Sequence, residues 1–266
     1  MIEPLVVHPG EPARLGERDP GFALGLDKEG GRARLEELRQ RLTKLQNRLF
    51  AEGRRSVLLV LQGLDASGKD GVVRSVFTGL NPMGFRATSF RTPTSTELAH
   101  DYLWRVHAAL PARGEIGIFN RSHYEDVVAV RMLGLAPEEI WRRRSGHIRE
   151  WERMLVDEGT QVVKVFLHVS REEQRVRLQE RIDDPEKRWK FERNDLKVRA
   201  RFDEYQAAWE EVITETSTDW APWHVVPADR NWVKALATAA LLVEVLEAID
   251  PQLPAAEPGI ETVRIT

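Results

Sequence analysis

Residues 56–71 read Ser56-Val57-Leu58-Leu59-Val60-Leu61-Gln62-Gly63-Leu64-Asp65-Ala66-Ser67-Gly68-Lys69-Asp70-Gly71. From Ser56 to Leu61 the run is continuous and apolar, which suits a strand buried on both faces, as in a parallel sheet. It leads directly into Gly63 to Lys69, which matches the phosphate-loop pattern G-x-x-x-x-G-K. The chemistry follows from the residue types. The glycines let the chain curl so that successive backbone N–H groups turn inward toward a phosphate, and the helix that follows adds its positive end. Lys69 then reaches a terminal phosphate as a point charge. Gly63, Ala66, Ser67, Gly68, Lys69, Asp70 and Gly71 are therefore the candidate phosphate-binding residues. Two positions depart from the common pattern. Asp70 stands where a Ser or Thr usually offers its hydroxyl to Mg2+. Asp65 lies inside the loop, where a carboxylate repels phosphate unless a bridging Mg2+ or a proton-accepting or water-orienting role compensates. A turn-forming Asp that bonds local N–H groups is the purely structural alternative.

Upstream, Leu35, Leu38, Leu42, Leu45 and Leu49 recur at steps of three and four between Arg32 and Glu52. That is one apolar face of an amphipathic helix, with Gly53 as its stop. Residues 1–30, with Pro4, Pro9, Pro12 and Pro20, are expected to form an extended arm. Downstream, strands are expected at Arg86–Phe90, Ile116–Phe119, Val162–Val169 and His224–Val226. Helices are expected between them, at about 69–80, 96–109, 122–132, 137–157, 171–182, 195–216 and 231–248. The alternation predicts a doubly wound α/β fold, a parallel sheet with helices on both faces; with the phosphate loop, the expected reading is a three-layer P-loop kinase fold with a helical lid. One kinase domain is expected over 31–250, with the lid at about 181–195 and a proline-containing tail at 251–266.

The chain has 266 residues, enough for a sizeable core, and no cysteine, which removes disulfides, thiolate metal sites and thiol nucleophiles. No apolar run is long enough to span a bilayer, and the start lacks the features of a signal peptide. A cytoplasmic protein with no membrane partner is expected. The net charge of −3 gives no overall signature of nucleic-acid binding, so no nucleic-acid partner is expected. Arg far outnumbers Lys, but only Arg residues inside motifs carry weight, since a biased genome explains the rest. His100, His107, His123, His147 and His168 show no spacing that suggests a metal site or a triad.

Asn120 and Arg121 follow the apolar strand Ile116–Phe119, at the end where open α/β sheets build their sites. Arg121 is a candidate catalytic cation for the transferring phosphoryl group; a structural ion pair is the alternative. Ser122 with Glu125 three residues later reads as a capping box, which gives Glu125 a structural role. Asp126 has no such role and is the second candidate metal ligand, beside Asp65. From Arg181 to Lys190 a basic stretch surrounds Pro185. Arg181, Lys187, Arg188 and Lys190 suit a mobile lid over polyanionic phosphates, against the alternative of a solvated connector. Trp189 favours the lid, since a connector has little use for an indole. Arg181 and Arg188 join Asp65, Lys69, Arg121 and Asp126 as the catalytic candidates. Arg142-Arg143-Arg144 is read as a solvated helix face or subunit contact.

Four segments resemble, in order, the motifs of the polyphosphate kinase 2 family: GLDASGKDG at 63–71, Phe119 to Val127, Asp184 to Phe191, and Thr216 to Trp223. They run from the first predicted strand to just before the last helix. The resemblance implies a thymidylate-kinase-like fold, a need for Mg2+, homo-oligomers, and phosphoryl transfer between inorganic polyphosphate and nucleotides. Many members carry Asp where this chain has Asn120. The variant with Asn120, Glu125 and Asp126 looks like the subgroup that acts on both AMP and ADP, so adenine nucleotides (AMP, ADP and ATP) are the expected partners. An ATP-dependent kinase of similar fold is the enzymatic alternative. A nucleotide-binding regulatory module without turnover is the alternative of another class, although it gains nothing from a carboxylate beside phosphate.

Overall fold

The computed structural model describes residues 1–265. Among these the strands are β1 (Val6–Val7), β2 (Ser56–Gln62), β3 (Phe85–Ser89), β4 (Ile116–Asn120), β5 (Thr160–His168) and β6 (Trp223–Pro227). The helices are α1 (Lys28–Glu52), α2 (Lys69–Phe77), α3 (Ser95–Leu98), α4 (Trp104–His107), α5 (Glu125–Leu133), α6 (Glu138–Asp157), α7 (Arg171–Asp183), α8 (Arg193–Ala200), α9 (Phe202–Thr216) and α10 (Asn231–Ile249). The six strands form one sheet in the order β1-β6-β5-β2-β4-β3. Every residue of β2 is buried, as its apolar run requires, and it pairs in parallel with β5 on one side and β4 on the other. The chain crosses from β2 toward β3 and β4 on one side, while β5 and β6 are added on the other. The loop after β2 therefore opens where the strand order turns, the place at which such sheets bind ligands. On one face α10 packs on β5, β6 and α2, with α1 packed against it. On the other face α5, α6 and α9 pack together, α6 against β5. This is a three-layer α/β fold of the P-loop kinase kind.

Three expectations change in the structure. Residues 1–27 are not a free extended arm. Ile2, Leu5, Val7, Ala13 and Leu15 are buried, and β1 closes the sheet as an antiparallel edge on β6. Arg18 ties this segment down by donating to the carbonyls of Ala13, Pro4 and Val6. The stretch 96–109 is two single helical turns, α3 and α4, rather than one helix. The stretch 195–216 is broken at Arg201, whose backbone leaves the helical region (φ −106°, ψ 27°) while its guanidinium reaches the carbonyl of Met132 at 2.7 Å. In the tail, Pro251 is buried and residues 252–265 are exposed.

Candidate active site

The loop from Gly63 to Gly68 joins β2 to α2 through backbone angles that few side chains tolerate. Gly63 has φ +146°, and an added Cβ would lie 2.7 Å from the carbonyl of Leu167. Ala66 is held at φ +63° without the freedom of glycine, the kind of local strain that functional loops store. The loop curls around Lys69. Its ammonium donates to the Gly63 carbonyl at 2.6 Å and lies within 3.5 Å of Ser67 Oγ. Burial pushes the Lys69 pKa down to about 8, helped by the neighbouring Arg121 and opposed by Asp65, Glu125 and Asp70. A cation is thus held inside the curl among three carboxylates.

The end of β4 forms the facing wall. Asn120, paired in register with Leu61, donates to Asp70 Oδ1 at 2.6 Å. Arg121 adopts φ +63° and places Nη2 2.7 Å from Asp65 Oδ1. Burial works against the charge of Arg121, but Glu125 and Asp65 outweigh it and hold its pKa above normal. The expected capping box does not form. Residues 122–124 make a turn, α5 begins at Glu125, and no side chain caps it. Ser122 Oγ bonds Gln62 instead, at 2.9 Å. With its amide oriented so that both ends are satisfied, Gln62 donates to Glu125 Oε1 at 3.0 Å and accepts from the Ser122 amide at 2.9 Å. Glu125 is thereby turned toward Arg121 and Lys69, and burial pushes its carboxyl up while those two cations oppose the shift. Asp126 points elsewhere: its Oδ2 lies 3.5 Å from Arg105, and Arg144 donates to its carbonyl. The carboxylate that joins Asp65 beside the loop is Glu125, one residue before the one expected. A rotation of one residue along a helix is about 100°, which accounts for the exchange.

The residues expected to form a lid, at 181–195, bond mostly among themselves. Arg181 lies 3.5 Å from Asp195 and donates to the Lys190 carbonyl at 3.4 Å. Arg188 donates to the Ile182 carbonyl at 2.8 Å, and Lys187 pairs with Asp184 at 3.0 Å. Lys190 sits over the ring of Trp189, which is 74% exposed. This stretch acts on the loop region through its acids: Asp195, raised by burial and then by Asp65, also acts with Glu192 on Arg121. Sequence reasoning missed Gln62 and Glu125. The one signal for Gln62 was a polar residue ending an apolar strand next to the loop. Glu125 was marked only by the family variant and read as a cap, because its direction depends on the length of the turn before α5.

A family profile described as Polyphosphate kinase 2 (PPK2) matches residues 25–254. The chain is 55% identical over 241 residues to an AMP/ADP-polyphosphate phosphotransferase of Meiothermus ruber, covering 89% of this chain and 90% of that one. It is 43% identical over 232 residues to an ADP-polyphosphate phosphotransferase of Rhodopseudomonas palustris, covering 83% of this chain and 80% of that one. The crystal structure of polyphosphate kinase 2 from Arthrobacter aurescens matches with a TM-score of 0.93 at 40% identity, over 98% of this chain and 93% of that one. Together with a phosphate loop faced by Asn120, Arg121 and Glu125, these matches over most of the chain show that it belongs to the polyphosphate kinase 2 family.

Proposed function

We propose that this chain transfers phosphoryl groups between inorganic polyphosphate and adenine nucleotides, accepts both AMP and ADP, and uses Mg2+. The observation that carries the reading is Lys69, buried inside the loop after β2 and ringed by Arg121, Asp65, Glu125 and Asp70. The relative named for both AMP and ADP supports the choice of acceptors. Phosphoryl transfer asks little covalent chemistry of a protein; positioning and charge do most of it. The loop amides and Lys69 hold the phosphate chain, and Arg121 stabilises charge developing on the transferring group. The lid cations Arg181, Lys187, Arg188 and Lys190 engage the polyanion and exclude water on closure.

Among the described residues no group of three or more His, Cys, Asp or Glu forms a metal cage. Mg2+ at a phosphate site does not need one, since one or two carboxylates, phosphate oxygens and water complete its shell. One or two of Asp65, Asp70 and Glu125, the carboxylates that act on Lys69, would supply those oxygens; Asp126 turns away toward Arg105. When bound, Mg2+ would neutralise charge on the phosphoryl oxygens. The test is an assay with polyphosphate and Mg2+ but no ATP, first with AMP and then with ADP. AMP should yield ADP and ATP, and ADP should yield ATP. Turnover of AMP with ATP but none with polyphosphate overturns the reading in favour of an ATP-dependent nucleotide kinase.

A further inference from the structure

Behind the phosphate loop, three side chains with no expected role converge on its backbone. Gln174 Nε2 donates to the Asp65 carbonyl at 3.0 Å. One turn along α7, Arg177 Nη1 donates to the carbonyls of Ala66 and Ser67, both at 3.1 Å. Its Nη2 donates to Ala228 and Asp229, at 2.7 and 2.8 Å, and its Nε to Glu173 at 2.9 Å. From α10, Lys234 Nζ donates to the Ser67 carbonyl at 2.8 Å. Three successive carbonyls, 65 to 67, are thus held from the rear. Gln174 and Lys234 are each only 1% exposed.

A peptide unit is planar and trans, so its C=O and N–H point in opposite directions. Fixing the carbonyls of Asp65 and Ser67 behind the loop aims the amides of Ala66 and Gly68 at its front. Within the loop, Lys69 and the Ser67 amide bond its own carbonyls, but Ala66 is held at φ +63°, a strain that the bonds from behind help to offset. The brace and the glycine also depend on each other: a Cβ on Gly68 would lie 2.1 Å from Lys234 Nζ. Packing alone does not explain a buried ammonium bonded to carbonyls and to no carboxylate, because an apolar side chain fills such space at less cost. Burial, with Arg177 and Lys69 nearby, pushes the Lys234 pKa down to about 7, a penalty that an idle residue would not carry.

We propose that Gln174, Arg177 and Lys234 are positioning residues for phosphoryl transfer: they hold the loop carbonyls at the rear so that the loop amides face the phosphates. Arg177 also ties the loop to α7, the helix that leads into the lid. The proposal rests on the loop being the phosphate cradle.

The experiment compares Lys234→Met, Arg177→Lys, Gln174→Met and Lys69→Ala. Lys234→Met keeps the length and removes the donor. Arg177→Lys keeps the charge and loses the fork that spans four carbonyls. Gln174→Met removes only one loop bond, together with the bond that its Oε1 accepts from Arg199, and serves if a larger change prevents folding. The readouts are the melting midpoint, the dissociation constant of tripolyphosphate by calorimetry, and kcat and KM with polyphosphate. Lys234→Met and Arg177→Lys should each weaken tripolyphosphate binding about tenfold or more and lower kcat as well, while folded at the assay temperature. Gln174→Met should shift both in the same direction, by less. The double Lys234→Met/Arg177→Lys should fall short of additivity, because both hold the Ser67 carbonyl. A merely structural role would reduce the active fraction and leave the dissociation constant and KM unchanged; that outcome overturns the proposal. If Lys69→Ala, folded, also binds tripolyphosphate normally, it is the cradle reading that fails, and not the brace alone.

Discussion

Asn120 and Asp70 meet at 2.6 Å across the gap between β4 and the first turn of α2. P-loop enzymes commonly place a hydroxyl at the second of these positions and the metal-holding Asp at the first. In this chain the neutral partner and the acid have changed places, and Asn120 orients the carboxylate by donating to it. The exchange predicts a pattern. Asn120→Asp sets two carboxylates at hydrogen-bonding distance, so one must take up a proton or be pushed away. Asp70→Ser leaves Asn120 without its acceptor and the loop without that carboxylate. Each single change should raise the Mg2+ concentration for half-maximal rate about tenfold or more. The double Asp70→Ser/Asn120→Asp restores the common order and should recover most of the loss. Mn2+ binding in the presence of tripolyphosphate, read by electron paramagnetic resonance, checks the same pattern without turnover. A double variant as poor as the worse single would remove Asp70 from the metal site.

At the scale of elements, a buried polar cluster fixes the turn between β4 and α5 that carries Arg121 and Glu125. Lys164 on β5 lies 2.6 Å from Glu152 on α6, both fully buried, and also donates to the Tyr124 hydroxyl and the Thr216 carbonyl. Tyr124 in turn donates to Glu152 at 2.8 Å. Burial pushes the Glu152 carboxyl up, but Lys164 and His123 outweigh it and hold it below the usual range. Removing one partner strands the other, so Glu152→Gln should destabilise the chain by about 3–5 kcal/mol in urea unfolding, and Glu152→Gln/Lys164→Met by less. Equal losses would mean that the pair is not coupled. The stretch expected to form the lid obeys a different rule, because its cations are exposed or bonded to nearby groups. Arg188→Ala should raise the polyphosphate concentration needed for half-maximal rate and flatten its dependence on salt, as loss of one phosphate contact does for nucleic-acid binding. Coinciding salt slopes with matching rates would make residues 181–190 a surface connector.

These elements also mark where reading the sequence succeeds. The strand run into Gly63, the leucine face of α1 and the strand-end Arg121 were legible because each depends on spacing within a short stretch. The two-residue β1 left no period to read. The inward turn of Glu125 depends on Gln62, some 60 residues upstream, and the rear brace of Arg177 and Lys234 on groups more than 100 residues away (Arg177 and Ser67 are separated by 110), and no local pattern encodes either.

The molecule as a whole carries a net charge of −3, so its affinity for a polyanion must come from cations concentrated in one place. The fold concentrates them at the expense of its own stability. Burial lowers the Lys69 pKa to about 8 and the Lys234 pKa to about 7, in each case with other cations adding to the shift. Both folded values lie below that of a lysine in the unfolded chain, about 10.4. Between them the unfolded chain holds a proton that the folded chain has released, so stability rises with pH across that window. The slope is about 1.4 kcal/mol per pH unit for each group. From pH 7.5 to 9.0 the two should add about 2 kcal/mol or more. Tyr102, pushed up to about 12 by burial, titrates above this window. Urea unfolding at the two pH values checks the prediction. The wild-type midpoint should rise with pH, and the rise should be clearly smaller in Lys69→Met/Lys234→Met, which should also be the more stable chain at pH 7.5. A wild-type midpoint that stays level or falls would mean that these lysines are solvated in the folded chain, and that the cradle stores no charge for a polyanion to neutralise.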